Sequence, residues 1–435
     1  METVMNKAIE NYRKTFDALA PEINANIEKY RKGDFKIKVV HEDGTPVVAT
    51  VKAEQKTHAF DFGTSALMIG SMGDKEQEYR DAVSNLFNLI TTTFCWKAME
   101  PQPGKYRFEE GSEEIYRRPP SDRVLEFAKA NHMKAKGQPL FAGWWTPDWV
   151  PQDIDELKQL WTKYATEVAK RYDGEYSIFD VVNESYHVNG SWKNMKWLPE
   201  SNSDFAKWLL NTASEIFSDK CVMERNEASE VNYGEVGEKY YQENKKFLEE
   251  GVRLDSIGFQ FHFFSGESCV NTHISGEAGL ENIYKTYHKM ATLGVPMYIT
   301  EITIPSVYPD MTPEEGESLQ AEILEKLYRL WFSIPNMHGI IYWNLKDGDT
   351  WVNEDKCLGC LLDEYMRKKK SYYTLEHLIK HEWNTCVTLT SDEDGNTGFS
   401  GFYGDYDITV EIDGQPAQKR RATFDKGTDV LTVTV

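Results

Sequence analysis

The stretch SIFDVVNE, residues 177–184, is a short apolar run that stops at a glutamate, Glu184, and PMYITE, residues 296–301, repeats the design and stops at Glu301. Runs rich in Val, Ile, Tyr and Phe read as buried strands. Working outward, six further candidates appear: AFDFGTS near 60, LITTTFCW near 92, MKAKGQPL near 137, KCVMERN near 223, SIGFQFH near 259 and GIIYWN near 341. Between strands lie amphipathic patterns such as DRVLEFAKANH, LKQLWTKYATEVAKRY and ESLQAEILEKLYRLWF, so the unit is strand then helix, eight times. That count predicts an α/β fold, a (β/α)8 TIM barrel. An open doubly wound sheet would want a glycine-rich phosphate turn after an early strand, and FGTSALMIGSMG lacks the spacing.

The ends differ from the middle. A helical segment to residue 31 precedes FKIKVVHEDGTPVVATVKAEQ, which alternates and carries the turn signal Glu42-Asp43-Gly44, a hairpin pattern. Beyond residue 382 the chain turns strand-like again, with VTLT, YDITVEI and VLTVTV. Neither set is large enough to stand alone. The two are therefore expected to pair into one small accessory β-sandwich, giving a helical segment 1–31, sandwich parts 32–56 and 383–435, and a barrel 57–382.

The formal charge of -21, from 70 acidic and 49 basic residues, gives no footprint for nucleic acid or an anionic membrane surface and favours a neutral substrate. The 12 Trp and 23 Tyr suit sugar rings, which stack on flat apolar faces. METVMNKAIENYRKTFDALA has no basic region followed by an apolar stretch, so it reads as neither secretory signal nor anchor. With six scattered cysteines in a large chain, this points to the cytosol. Cys357 and Cys360 form one CxxC without a second ligand pair, which reads as packing, with no metal expected. The oligomeric state stays open.

In a barrel the carboxyl ends of the strands form the functional face, so Glu184 after the fourth strand and Glu301 at the seventh meet in one cleft. Two carboxyl groups are the equipment for cleaving a glycosidic bond. A separation of about 5 Å serves retention, and a wider one that admits water serves inversion. One must stay ionised and the other protonated, and each raises the other's proton affinity.

EPQPGKYRF, DVVNE, SIGFQFHF, YITE and WNLKDGDTW, in this order between about 58 and 380, together resemble glycoside hydrolase family 10, the xylanase-type barrels. The resemblance implies Glu184 as acid/base and Glu301 as nucleophile of a retaining double displacement. It implies that Asn183 bonds the sugar's 2-hydroxyl, that Gln260 and His262 serve the same centre with His262 orienting Glu301, and that Trp343 and Trp351 wall the reacting subsite. The departures are equally specific. Gln138 stands where the family has a histidine and Ala142 where it has a tryptophan, while Thr92 and Cys95 replace an asparagine and a lysine that grip the sugar. The non-reducing-side subsites should therefore differ from those of an ordinary xylanase.

Trp144 and Trp145 are candidates to refill that space, and the insertion EEIYRRPPSD carries Arg117 and Arg118 toward the cleft rim. Tyr186, His187, Trp192 and Trp197 are candidates for the leaving-group side. The implied activity is that of a retaining endo-β-1,4-xylanase on xylan or xylo-oligosaccharides, with no cofactor. A decorated xylan, another β-glycan, or a non-catalytic glycan-binding barrel are the alternatives.

Overall fold

The protein, as a computed structural model, is described over residues 4–186, 195 and 201–435. Eight parallel strands close a barrel: β1 (Asp61–Ser65), β2 (Leu89–Thr93), β3 (Lys134–Gln138), β4 (Ile178–Asn183), β5 (Val222–Glu227), β6 (Ser256–His262), β7 (Met297–Thr303) and β8 (Met337–Tyr342). Closure comes from β8 pairing with β1, Ile340 opposite Phe62. Every residue of β1, β2, β4 and β7 is buried, as expected where helices cover the outer face and side chains fill the inner one. The β4 run does stop just before Glu184, whereas β7 continues past Glu301 to Thr303.

The outer helices follow from local sequence. Ile154–Tyr172 starts where the Asp153 side chain accepts from the Asp155 and Glu156 N–H groups, and it buries Leu157, Trp161, Tyr164, Ala165 and Val168 along one stripe. Pro313–Ser333 opens on a capping box between Thr312 and Glu315. Among the described residues no helix is long and apolar enough to cross a membrane.

The barrel centre is partly ionic. Lys136 pairs with Glu224, both fully buried, and Ser256 Oγ donates to the other Glu224 oxygen at 3.0 Å. Beside them burial raises the Asp180 pKa well above the usual carboxylate range, and Lys136 opposes that rise.

The two terminal segments do combine into a sandwich. One sheet has the order Asn396–Phe402, Lys32–Val40, Leu431–Thr434, and the other Cys386–Thr390, Thr50–His58, Gly404–Glu411, Gln418–Phe424. Phe35, Ile37 and Val39 of the first face Val51, Ala53, Tyr406, Ile408 and Val410 of the second. The hairpin expectation needs correction. The turn forms at Asp43-Gly44, with Gly44 at φ 84° and His41 N–H donating to Thr45 O at 2.8 Å. The pairing runs one step past Pro46, where Val47 N–H donates to Val39 O at 3.1 Å, but Val39 N–H turns away to Gly395 O at 2.8 Å, and the flanking strands part into opposite sheets, where C-terminal strands supply their partners.

An aromatic seam joins sandwich to barrel. Phe332 stacks on Trp383 with ring centres 4.3 Å apart, and the His58 ring meets Phe62 at 5.4 Å and Phe402 at 5.6 Å. Burial pushes the His58 pKa down to about 3. Arg31, ending the helix Val4–Arg31, donates to the carbonyls of Phe332 (2.6 Å) and Ile334 (2.5 Å). That helix packs along Pro313–Ser333 and joins Tyr12 OH to His273 Nε2 at 2.9 Å.

Candidate active site

Glu184 is placed by backbone geometry. It takes φ 58°, a left-handed conformation uncommon outside glycine, and its N–H donates to Asn226 O at 3.0 Å. The turn is held from β5. Glu227 accepts the Ser185 N–H at 3.0 Å, the Tyr186 N–H at 2.9 Å and the Ser185 hydroxyl. Burial raises the Glu227 pKa, and Arg225, itself paired with Glu243 at 2.5 Å, opposes that rise.

Glu301 is buried on β7. Its Oε1 accepts from Gln138 Nε2 and from Asn226 Nδ2 (3.2 Å), and its Oε2 lies 3.1 Å from His262 Nε2. With Nε2 as the donor to that carboxylate oxygen, Nδ1 accepts from Thr303 Oγ1 at 2.9 Å. Three donors thus converge on Glu301 and fix its orientation.

The two glutamates belong to one network. Gln260 Nε2 donates to Glu184 Oε1 (3.1 Å) and Asn183 Oδ1 (3.3 Å), and Asn226 Nδ2 reaches Asn183 Oδ1 (2.9 Å) as well as Glu301. Thr300 Oγ1 donates to Asn226 Oδ1 at 2.6 Å. Gly258 on β6 leaves the room this needs: a Cβ there would sit 2.8 Å from Asn226 Oδ1 and 2.8 Å from Thr300 Cγ2.

Above the network opens a cleft of about 600 Å³. Of the residues singled out from sequence, Glu184, Glu301, Asn183, Gln260, His262, Trp343, Trp351, Gln138 and Trp145 all line it, with Trp144, Thr92 and Cys95. The rings of Trp145 and Trp351 are stacked 6.5 Å apart, and Trp343 stands edge-on to His262 at 6.1 Å. Gln138, expected against the sugar, is engaged with Glu301. Ala142 is buried and does not line the cleft.

The arginine insertion does reach the cleft, through Arg118. Arg117 turns to Asn344 Oδ1 (2.7 Å) and the Asp349 carbonyl. Tyr186 is corrected: its ring lies over Arg225 at 5.3 Å and near Tyr240 at 6.0 Å instead of lining the cleft. His187, Trp192 and Trp197 lie outside the described residues. Cys357 and Cys360 are buried, and Cys357 Sγ donates to Glu354 O at 3.0 Å. Sequence reasoning missed Asn226 and Glu227. Their signal was a strand, MERNE, whose last three residues are polar yet must be buried.

The sequence model of glycosyl hydrolase family 10 matches residues 51–378. An anti-sigma-I factor, RsgI6, of Acetivibrio thermocellus is 27% identical over 94% of this chain, which spans 49% of that protein's length. Endo-1,4-beta-xylanase B of Thermotoga neapolitana is 25% identical over 72% of this chain and 86% of its own. Among solved structures, native xylanase 10B of Thermotoga maritima superposes with a TM-score of 0.61 at 22% identity, over 74% of this chain and 96% of that one.

Proposed function

The chain belongs to glycosyl hydrolase family 10 and is of the xylanase type, and from that premise we propose that it cleaves xylan or xylo-oligosaccharides internally, with retention. One observation carries the reading: two glutamates, one just after β4 and one on β7, share one cleft and one hydrogen-bond network. A carboxyl fixed in place by three hydrogen-bond partners suits a nucleophile. A carboxyl on the turn after β4, oriented by the Gln260 amide at its Oε1, suits an acid that releases a proton and recovers one.

In the first step a Glu301 oxygen bonds to the anomeric carbon as the bond to the leaving oxygen breaks. The Glu184 proton passes to that oxygen. In the second step water attacks the same carbon, Glu184 takes the water's proton, and Glu301 departs as carboxylate. Asn183, whose Oδ1 is held by Asn226 and Gln260, is oriented to meet the sugar's 2-hydroxyl as the ring flattens. Trp343, Trp145 and Trp351 present faces on which sugar rings stack.

Replacing Glu301 by Gln should reduce hydrolysis of xylo-oligosaccharides at least ~10³-fold, and Glu184→Gln by roughly 10²–10⁴-fold. The discriminating substrate is an aryl xyloside with a good leaving group, whose departure needs no acid. There Glu184→Gln should show a burst and then slow turnover, while Glu301→Gln stays inactive. Equal residual rates for the two variants would refute the division of roles.

A second reading rests on the anti-sigma-I factor, which matches barrel and sandwich together: the barrel binds a glycan within a regulatory protein and turns it over slowly or not at all. Product analysis on xylan and xylo-oligosaccharides separates the readings, since short products that vanish in the Glu301→Gln protein exclude it.

A further inference from the structure

Arg118 is 5% exposed, yet among the described residues no carboxylate lies within ion-pair distance of it. Its neighbour Arg117 is provided for: Arg117 Nη2 donates to Asn344 Oδ1, and Asn344 Nδ2 donates to Glu354 Oε2 at 2.9 Å, which brings a compensating charge close. Arg118 donates from Nη1 to the Arg117 carbonyl at 2.7 Å, and its Nε has no acceptor. The guanidinium lies over the rings of Trp145 (4.7 Å) and Trp351 (5.4 Å), two of the indoles that wall the cleft.

A buried cation without a counter-charge is costly, and neutral sugar hydroxyls do not neutralise it. Two indoles of the cleft wall lie against this one, and the guanidinium fork itself lines the cleft. Such a fork matches a carboxylate, which it can bind through two parallel hydrogen bonds. Of the carboxylates that line the cleft, Glu301 already has its own donors and Glu354 accepts from Asn344.

We propose that Arg118 is a receptor for a sugar carboxylate, so that the preferred substrate is a β-1,4-xylo-oligosaccharide bearing a uronic acid substituent. The proposal rests on the glycan-cleaving reading for its substrate backbone, while the receptor itself can be read by binding alone. A protein of net charge -21 repels acidic ligands at long range, so the discrimination is local to this cleft wall.

The test uses three oligosaccharides: one with a single glucuronic acid substituent, its carboxyl methyl ester, and the unsubstituted chain. Calorimetry on the Glu301→Gln protein should show the free acid bound about 10- to 100-fold more tightly than the ester, the size of one charge-assisted contact. Arg118→Met should bring that ratio to about one. Arg118→Lys, which keeps charge and loses the fork, should fall between. Equal affinity for acid and ester in the protein that retains Arg118 overturns the receptor, as does a ratio unchanged in a folded Arg118→Met. Turnover of the unsubstituted chain by the wild-type protein is read separately. Its absence would remove the hydrolytic reading and leave the acid-to-ester ratio to decide the receptor.

Discussion

Gln138 stands where the family resemblance expects a histidine against the sugar, and in the fold its amide donates to Oε1 of Glu301. Removing that donor leaves Glu301 held by one hydrogen bond fewer, so Gln138→Ala should lower kcat about tenfold with little change in KM. Steady-state kinetics check this, and a raised KM with kcat intact would mean that Gln138 serves substrate alone. At this scale the sequence was legible where chemistry needs a rare residue at a strand end: Glu184, Glu301 and His262 stand out in apolar runs. Asn226 and Arg118 were harder. An asparagine within a polar strand end has no distinctive signature, and an arginine in a loop declares its position only once the loop is folded against Trp145 and Trp351.

At the scale of elements, the end of β5 acts as a clamp on the end of β4. Glu227 accepts two consecutive backbone N–H groups and a hydroxyl from the turn that carries Glu184 in its left-handed conformation. In Glu227→Ala those buried donors lose their acceptor, at roughly 1–3 kcal/mol for each unsatisfied group. The expected result is a loss of about 2–4 kcal/mol in unfolding free energy, together with a drop in kcat larger than the change in KM. Denaturant melts and steady-state kinetics read both, and a stability loss with intact kcat would detach the clamp from catalysis. Strand count, order and parallel pairing were all legible, because buried parallel strands read as continuous apolar runs. The separation of the expected hairpin was not. Alternation marks a strand's buried face but not the sheet to which it belongs, and the competing partners lie at the far end of the chain.

For the whole molecule, the seams are where acid should act. His58, between barrel and sandwich, is held neutral with its pKa at about 3 against 6.5, and His273, under the N-terminal helix, at about 4. As pH falls through 6.5 the unfolded chain takes up protons that these folded histidines cannot, so stability declines with acidity. Relative to His58→Phe, the wild-type protein should lose about 2 kcal/mol more by pH 5 than it does at neutral pH. Denaturant unfolding at the two pH values measures this, and parallel pH dependences would exclude His58 as a source. Truncation at residue 384 should give insoluble protein, since it exposes Phe35, Ile37, Val39, Val51 and Ala53 together.

The pairing of Lys38 with Asn396 also sets an order of events during synthesis. The first strand of the sandwich leaves the ribosome roughly 360 residues before its partner, a wait of some 20–70 s at ordinary elongation rates. Throughout that interval a row of Phe35, Ile37 and Val39 has no sheet to join. The barrel must therefore assemble beside an open, adhesive strand edge, and yield in the cell should respond to translation speed and to the supply of chaperones that shield such edges.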